Sequence, residues 1–361
     1  MASQLTATRE QQLAETASAI ALEFGPRLPG SRAERAAAQY LYTRLSGAGL
    51  ATELQPVLVP RYQHLPLIAG YALMVAAAIV LASSPPLAAL LAAGGLLTLV
   101  TEAHASPTVS RLLPKAESLN VVARRASQGQ SERRLVFTAH LDTARPTLFT
   151  SPRVVVIERQ SFMFALNASI IVFVLGLLGS FSPLGGLVWV GFGGGLYLIL
   201  HLTVLVHGAL NLPPSPGAND NASGLAVLVD LAEQLPPLEH TELWLVATCG
   251  HEAGLAGMRA FLQQNPMAGL ATQVVNLDSV GAGTINLTLV EGYLRSRRVS
   301  RELLETGAWV VHEAGLPVRA RAYQGTPTEA YAALRAGLPA ISIIGFDRRG
   351  AVPNWHWHSD T

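Results

Sequence analysis

The sequence predicts an α/β protein with a mainly parallel sheet covered by helices on both faces, and with four additional transmembrane helices. Short runs rich in Val, Ile and Leu alternate with helical patterns along most of the 361 residues, which is typical of parallel sheets. Hydrophobic residues make up 50% of the chain and charged residues only 14%, too apolar for an ordinary soluble enzyme. The excess lies in two blocks, so the membrane part separates from the soluble part along the chain.

The two apolar blocks, 65–100 and 163–206, contain no Asp, Glu, Lys or Arg. Serine and proline interrupt each block near its middle, at 83–86 and 180–183. Each half is close to the ~20 residues that cross a bilayer, although 87–100 is short and needs flanking residues. Buried core helices are the alternative, which four uncharged runs in two pairs disfavour. We therefore expect two transmembrane hairpins.

The distribution of basic residues predicts which side of the membrane the soluble part occupies. Neither hairpin loop contains Lys or Arg, whereas the other flanks carry Arg61, Arg111, Lys115, Arg153 and Arg159. The positive-inside rule then places the soluble part in the cytoplasm. The N-terminus has no apolar core and is not expected to be a signal peptide.

Composition also limits the kinds of site. The net charge is +1, so nothing indicates a nucleic-acid partner. The single cysteine, Cys249, allows neither a disulfide framework nor a thiolate zinc site.

The elements of the soluble part follow from local patterns. Before the first hairpin we expect a helix over 6–24, a loop GPRLPGS, a helix that Ser31 caps and that runs to 45, and a strand over 51–59. The strands expected after it are 120–124, 134–140, 242–248, 274–278, 284–290, 318–322 and 340–344. Beyond Asp220 we expect one helix that starts near residue 221 or 222. We expect three more helices over 255–264, 300–314 and 329–335.

The hairpins are interpreted as insertions in one soluble domain. The second hairpin lies between His140 and Asp220, and two spans return the chain to the same side of the membrane. The expected boundaries are 1–64, 105–161 and 207–361 for the soluble domain, with the hairpins at 65–104 and 162–206.

Several polar residues follow predicted strands and could hold metal ions. Asp220 stands in the turn PGANDNASG, where its carboxylate could bridge two metals, although a residue of this turn could instead simply cap the next helix. His140 ends a strand and could bind a metal through one ring nitrogen. The carboxylate of Asp142, two residues further on, could then hold the ring in place without binding the metal itself. The other candidates are Glu252 in CGHEAGLAG, Asp278 in NLDSVG and His356 in HWHSDT. All offer nitrogen or oxygen at strand ends, where open α/β sheets place their sites.

Taken in order, GPRLPGS, AHLDT, GANDNASG, HEAGLAG, NLDSVG and HWHSDT resemble metallopeptidase family 28, which contains di-zinc aminopeptidases. The resemblance implies an α/β/α sandwich around a mixed, mainly parallel sheet, with two zinc ions per chain. It assigns His140 and Asp278 to the first zinc, Glu252 and His356 to the second, and Asp220 to both. Asp142 would orient His140. His356 is chosen over His358 because the family's ligand lies four residues before the aspartate of its Asp-Thr pair, here Asp360.

The chain departs from the family pattern at the position of the general base. The family has two consecutive glutamates where this chain has His251 and Glu252. Histidine has the higher intrinsic pKa, ~6.5 against ~4.3 for glutamate, so reach rather than basicity is the obstacle, and the ring could bind zinc instead. The family also usually continues beyond Thr361 into a final helix, so the sequence could be truncated there.

The leading hypothesis is a membrane-anchored zinc exopeptidase, an aminopeptidase that hydrolyses N-terminal peptide bonds of a peptide substrate. Two zinc ions would activate a water, and His251 would accept its proton. One alternative is an inactive peptidase-like membrane scaffold or receptor. Another is a glutaminyl cyclase-like transferase with a single zinc, although five intact ligands argue against it.

Overall fold

A mixed, mostly parallel eight-stranded sheet forms the centre of the soluble part in the computed structural model, which describes residues 2–106 and 108–361, with side chains from residue 8 onward. The strands are β1 (Ala51–Pro60), β2 (Lys115–Arg125), β3 (Arg133–His140), β4 (Thr241–Thr248), β5 (Ala271–Asp278), β6 (Thr284–Thr288), β7 (Val290–Glu291), β8 (Arg297–Arg298), β9 (Arg319–Arg321) and β10 (Ala340–Phe346). The sheet order is β1-β2-β4-β3-β5-β10-β6-β9, and β7 pairs with β8 in a separate ribbon. The central strands β4, β3, β5 and β10 are mutually parallel.

Ten α-helices accompany the sheet in the described part of the chain. They are α1 (Ala2–Phe24), α2 (Arg32–Gly47), α3 (Leu65–Val80), α4 (Pro85–Ala103), α5 (Glu158–Gly179), α6 (Val188–Asn211), α7 (Gly224–Gln234), α8 (Ala256–Gln264), α9 (Arg301–Glu313) and α10 (Glu329–Arg335). The hydroxyl of Ser31 caps α2 by accepting the Glu34 N–H at 3.1 Å, as its place in the sequence indicated.

The two faces of the sheet carry separate apolar cores, which follow from the two-residue period of a strand. On β4, Leu243, Leu245 and Ala247 pack with the layer formed by α1, α2 and α7. Trp244 and Val246, the residues between them, pack with α8 and α10 on the opposite face. This confirms the predicted α/β class with helices on both faces.

Four further helices form two antiparallel hairpins, α3 with α4 and α5 with α6. Their shared seam is apolar and buried, with Tyr71, Met74, Val172 and Leu198 at its centre. Large apolar side chains such as Leu90, 71% exposed, cover the outside of the bundle. By length and composition, three described helices could cross a membrane: α4, the segment Val155–Gly179 and the segment Gly185–Asn211.

The expectation of four spans is therefore supported for three helices. The half expected to be short, 87–100, lies within α4, which flanking residues lengthen to 19 residues. The shorter helix is α3, with 16 residues.

The structure also corrects where α7 begins. It starts at Gly224, because Ala218–Ser223 form an irregular turn in which Asp220 and Asn221 have non-helical backbone angles. The N–H groups of Asn219 and Asp220 are satisfied outside the helix by the Asp360 carboxylate, at 2.7 and 2.9 Å. Similarly, the predicted strand 284–290 is divided into β6 and β7.

Candidate metal centre

The five predicted ligands lie together at the carboxyl edge of the parallel strands. His140 and Asp278 are the last residues of β3 and β5, which lie side by side in the sheet. Glu252 follows β4, Asp220 lies in the turn before α7, and His356 lies in the C-terminal segment. This convergence arises because parallel strands end at one edge of a sheet.

The Asp220 carboxylate is at the middle of the group. Its Oδ1 is 3.1 Å from His140 Nε2, and its Oδ2 is 3.4 Å from His356 Nε2. Asp278 Oδ1 lies 4.0 Å from the same nitrogen of His140, and Glu252 Oε1 lies 2.8 Å from His356 Nε2. The two oxygens of Asp220 therefore face two different pairs of side chains.

The side chain that contacts the start of the next helix is that of Asn221, not that of Asp220. Asn221 Oδ1 accepts the N–H of Gly224 at 3.2 Å, the first residue of α7. Asp220 is only 4% exposed, and its carboxylate points to the two histidines. Asn221 therefore serves the helix, and the Asp220 carboxylate is free for another role.

The donors fit a metal ion by their chemistry and by the bonds they lack. Two of them, His140 Nε2 and Glu252 Oε1, are buried without a hydrogen bond of acceptable geometry in the described structure. Ligand atoms of His140, Asp220 and Glu252, and likewise those of His140, His251 and Asp278, lie within 4.8 Å of one another. A set of imidazole and carboxylate donors is one that zinc accepts.

The electrostatics of the cluster also favour a cation. Burial raises the pKa of Asp278 to about 6, and the nearby Asp220 carboxylate adds to the shift against the opposing effect of His140. Buried carboxylates at such short range repel one another unless positive charge lies between them.

Asp142 supports the cluster differently from the sequence-based expectation. Its carboxylate stays 3.9 Å from His140 Nδ1, and its backbone oxygen instead accepts that N–H at 2.9 Å. The carboxylate accepts the N–H groups of His251 and Glu252, each at 2.8 Å. Asp142 thus fixes the His140 ring through the main chain and the segment after β4 through its side chain.

His251 is held by a carboxylate that the sequence analysis missed. Its Nδ1 lies 2.9 and 3.0 Å from the two oxygens of Glu329, and its ring stacks on His140 with centroids 4.0 Å apart. Burial lowers the pKa of His251, but the charge and the hydrogen bond of Glu329, together with the Glu252 charge, outweigh it and raise the pKa to about 9. Glu329 itself is fully buried and also accepts the Thr248 hydroxyl at 2.9 Å.

The sequence signal for Glu329 was weak. Glu329 begins α10 directly after the cap Thr328, where an acidic residue usually faces solvent and favours the helix dipole. Asp360, which holds the Asp220 turn, was noticed only as part of a motif. His358 is exposed, as expected from the choice of His356.

Arg27 ties the segments around the cluster together. Its buried guanidinium donates to the backbone oxygens of Leu141 (2.8 Å), Pro216 (2.9 Å) and Gly217 (2.9 Å). The first of these follows His140, and the other two precede Asp220. The motif GPRLPGS therefore has a structural purpose at the site.

One protein-family model matches the C-terminal part of the chain. Residues 202–361 match the model of peptidase family M28. A comparison with curated proteins gave no match.

Solved structures share the fold over nearly the whole chain. The zinc aminopeptidase BSAP from Bacillus subtilis has a TM-score of 0.58 at 14% identity, covering 98% of this chain and 89% of its own. The aminopeptidase from Aneurinibacillus sp. strain AM-1 has a TM-score of 0.55 at 14% identity, with coverage of 98% and 88%. The glutaminyl cyclase from Porphyromonas gingivalis has a TM-score of 0.54 at 16% identity, with coverage of 98% and 90%. At these identities the likeness is one of fold.

Proposed function

We propose that the protein is a membrane-anchored, zinc-dependent exopeptidase that releases residues from the N-terminus of a peptide. The observation that carries this proposal is the buried Asp220 carboxylate, whose two oxygens face His140 on one side and His356 on the other. The M28 match and the zinc aminopeptidases of the same fold support the reaction class.

Two zinc ions would be held by these side chains. His140 and Asp278 would bind the first, Glu252 and His356 the second, and Asp220 would contact both. Zinc supplies Lewis acidity, which polarises a carbonyl and makes water more acidic. The backbone oxygen of Asp142, bonded to His140 Nδ1, fixes the tautomer that leaves Nε2 free to bind metal.

His251 would accept the proton of the attacking water once the positive charge of the bound zinc ions lowers its pKa, which is about 9 without them. When its Nδ1 donates to Glu329, the lone pair of a neutral ring is on the other nitrogen. Stacking on His140 keeps the ring beside the proposed ligands. A rigid ring can therefore take the place of a flexible glutamate if its second nitrogen faces the substrate.

A second candidate follows from the proximity of His140, His251 and Asp278, whose ligand atoms lie within 4.8 Å of one another. If His251 is a ligand, these three residues could hold one zinc, as in the alternative of a glutaminyl cyclase-like transferase. An inactive scaffold that keeps its metals is the third possibility.

Metal content and turnover of the same samples distinguish these candidates. We expect two zinc ions per chain and hydrolysis of aminoacyl substrates. Asp220→Asn should lose both ions or nearly so, because one carboxylate serves both. Asp230→Asn is the matched control, since Asp230 is on α7 and pairs with Arg9 away from the cluster. Full zinc in the Asp220 variant would contradict a bridging role.

Other combinations of zinc content and turnover would favour one of the two alternative functions. Two zinc ions without turnover would favour the scaffold, and one zinc with cyclisation of N-terminal glutamine would favour the transferase.

A further inference from the structure

A cavity of ≈ 220 Å³ connects the candidate metal centre to the hairpin bundle. Glu252 and His356 line it on the side of the metal centre. On the other side it is lined by Leu67 and Tyr71 of α3, Phe162 of α5 and Leu205 of α6. The same space is therefore bounded by proposed ligands and by the apolar helices.

The helical residues of this wall come from one end of the bundle. Leu67 and Tyr71 lie in the first two turns of α3, and Phe162 lies in the first two turns of α5. Leu205 lies in the last two turns of α6. These are the helix ends next to the soluble domain, so the bundle closes the cavity from the membrane side.

Aromatic rings line the inner end of the cavity. The His201 ring lies 5.2 Å from Tyr71 and 4.6 Å from Phe149, measured between ring centroids. Phe162 lies 5.0 Å from Tyr293 in the same way. His201 Nε2 is 3.0 Å from the Ser161 hydroxyl, so hydrogen bonding between helices accounts for this polar residue. An occupant at this end meets mainly hydrocarbon and ring faces.

Apart from the proposed metal ligand Glu252, the acidic residues of the lining each already accept a hydroxyl hydrogen bond. Glu102 accepts the Ser110 hydroxyl and Glu158 accepts the Tyr293 hydroxyl, each at 2.7 Å. A buried cationic side chain would need a carboxylate free to pair with it. The lining therefore favours an apolar occupant over a charged one.

The cavity has the size of one large side chain. An apolar protein cavity of ~150 Å³ is enough to hold benzene, and this one is ≈ 220 Å³. An aromatic or branched aliphatic group would fill it, whereas a methyl group would leave most of it empty.

We propose that the transmembrane hairpins supply the specificity pocket of the enzyme, and that the pocket takes a large apolar group next to the amide that is cleaved. This inference rests on the proposed function. In a peptide, the group is an aromatic or leucine-like N-terminal side chain. The acyl chain of a membrane lipid amide has the same chemistry and is the other source.

Substitutions on α6 test the pocket. Leu205 lines the cavity and is 7% exposed, whereas Leu200 on the same helix is outside the lining and 49% exposed. Leu205→Phe should lower kcat/KM for a phenylalanyl substrate at least ~10-fold, the discrimination that one or two methylenes give in an apolar pocket, and should leave an alanyl substrate nearly unchanged. Leu200→Phe, the matched control, should change neither.

The wild-type protein should prefer phenylalanyl over alanyl substrates by about 10-fold or more. If Leu205→Phe does not fold, Leu205→Ala enlarges the cavity and should raise the tryptophanyl rate relative to the phenylalanyl rate. A preference for alanyl or charged substrates, or equal effects of the two Leu→Phe changes, would overturn the inference.

A binding measurement separates this inference from the proposed function. Titration calorimetry with free phenylalanine and free alanine should give tighter binding of phenylalanine, weakened by Leu205→Phe. That result without any turnover would reject the peptidase and keep the pocket. Turnover without this difference would reject the pocket and keep the peptidase. Stronger competition by an N-acyl amide than by phenylalanine would identify the lipid source.

Discussion

His251 is the residue on which the proposed chemistry depends most. The family pattern has glutamate at this position, and histidine replaces its flexible carboxylate with a rigid ring. In the structure that ring is fixed on two sides, by the Glu329 carboxylate and by stacking on His140. A base positioned in this way needs no flexibility if its free nitrogen already faces the reacting water.

We expect His251→Ala to reduce turnover by ~10²- to 10⁴-fold, the usual contribution of a general base, while both zinc ions stay bound. His251→Glu restores the family's residue and should keep activity. Rates and zinc content measured together provide the check. If His251→Ala loses zinc along with rate, His251 is a ligand, and if it keeps full rate, His251 has no part in the mechanism.

Glu291 provides a pH-dependent test of stability away from the ligands. It is fully buried, and its oxygens accept the hydroxyls of Thr288 at 2.8 Å and Thr328 at 2.5 Å. Burial raises its pKa from 4.5 to about 7 against the opposing effect of these bonds. The folded protein therefore binds this proton more tightly than the unfolded chain. The contribution of Glu291 to stability is present below pH 4.5 and is lost as the pH rises to about 7.

Glu291→Gln removes this titration and keeps an acceptor for the hydroxyls. Between pH 4.5 and 8 the unfolding free energy of the wild type should fall by roughly 3 kcal/mol more than that of the variant, at ~1.4 kcal/mol per pKa unit. Thermal or denaturant unfolding across this range measures the difference. Parallel curves for the two proteins would mean that Glu291 is charged throughout.

What the sequence could predict at this scale was limited by burial. The proposed ligands could be recognised because they follow predicted strands and match ordered motifs. Glu329 could not, since nothing local shows that the first residue of α10 is turned into the site. The irregular turn around Asp220 depends on Asp360, 140 residues away, and long-range contacts of this kind leave no local pattern.

At the scale of elements, periodicity was a good guide. The helix over 329–335 and the strands on either side of the site were predicted nearly to the residue, because apolar period and cap residues are local signals. The break between α3 and α4 lies at the predicted Ser-Pro segment, but the shorter helix is α3 and not the half over 87–100. Hydropathy shows where a chain is apolar, and helix ends are instead decided by the Ser-Pro boundary and by packing on the neighbouring helices.

Close approach between α4 and α5 gives a prediction at this scale. A Cβ added at Gly176 would lie 2.7 Å from the Ala89 nitrogen, a backbone atom that cannot turn away. Gly193 on α6 has nothing within 4 Å of the same position. Small residues at helix contacts in membranes allow such approach.

Gly176→Ala should therefore destabilise the bundle by ~1–3 kcal/mol through overpacking. Gly193→Ala, the control, should be neutral or slightly stabilising, because alanine favours a helix over glycine by up to ~1 kcal/mol. Thermal unfolding in detergent compares them. Equal melting temperatures for the two variants would show that α4 and α5 move apart to accommodate the added methyl group without loss of stability.

At the scale of the whole molecule, each hairpin is inserted in the chain between two strands of the same sheet. The second hairpin leaves the soluble part after His140 and returns before Asp220, and these two residues lie 3.1 Å apart. The second hairpin therefore begins and ends beside the domain. Exposed apolar side chains such as Phe164 (66%), Trp189 (72%) and Leu196 (70%) cover the outside of the bundle, an area larger than isolated surface residues would give.

We propose that the bundle crosses a membrane and that the soluble part lies in the cytoplasm, since the basic residues flank the domain side and none lies in the hairpin loops. The only native cysteine, Cys249, is buried, so introduced cysteines can be labelled selectively. A membrane-impermeant maleimide should label Ser84→Cys and Ser182→Cys, at the hairpin loops, in intact spheroplasts. Gln130→Cys, exposed on the soluble part, should react only after the membrane is opened. Labelling of Gln130→Cys alone in intact spheroplasts would reverse the orientation, and equal labelling of all three would mean that the bundle lies on the membrane without crossing it.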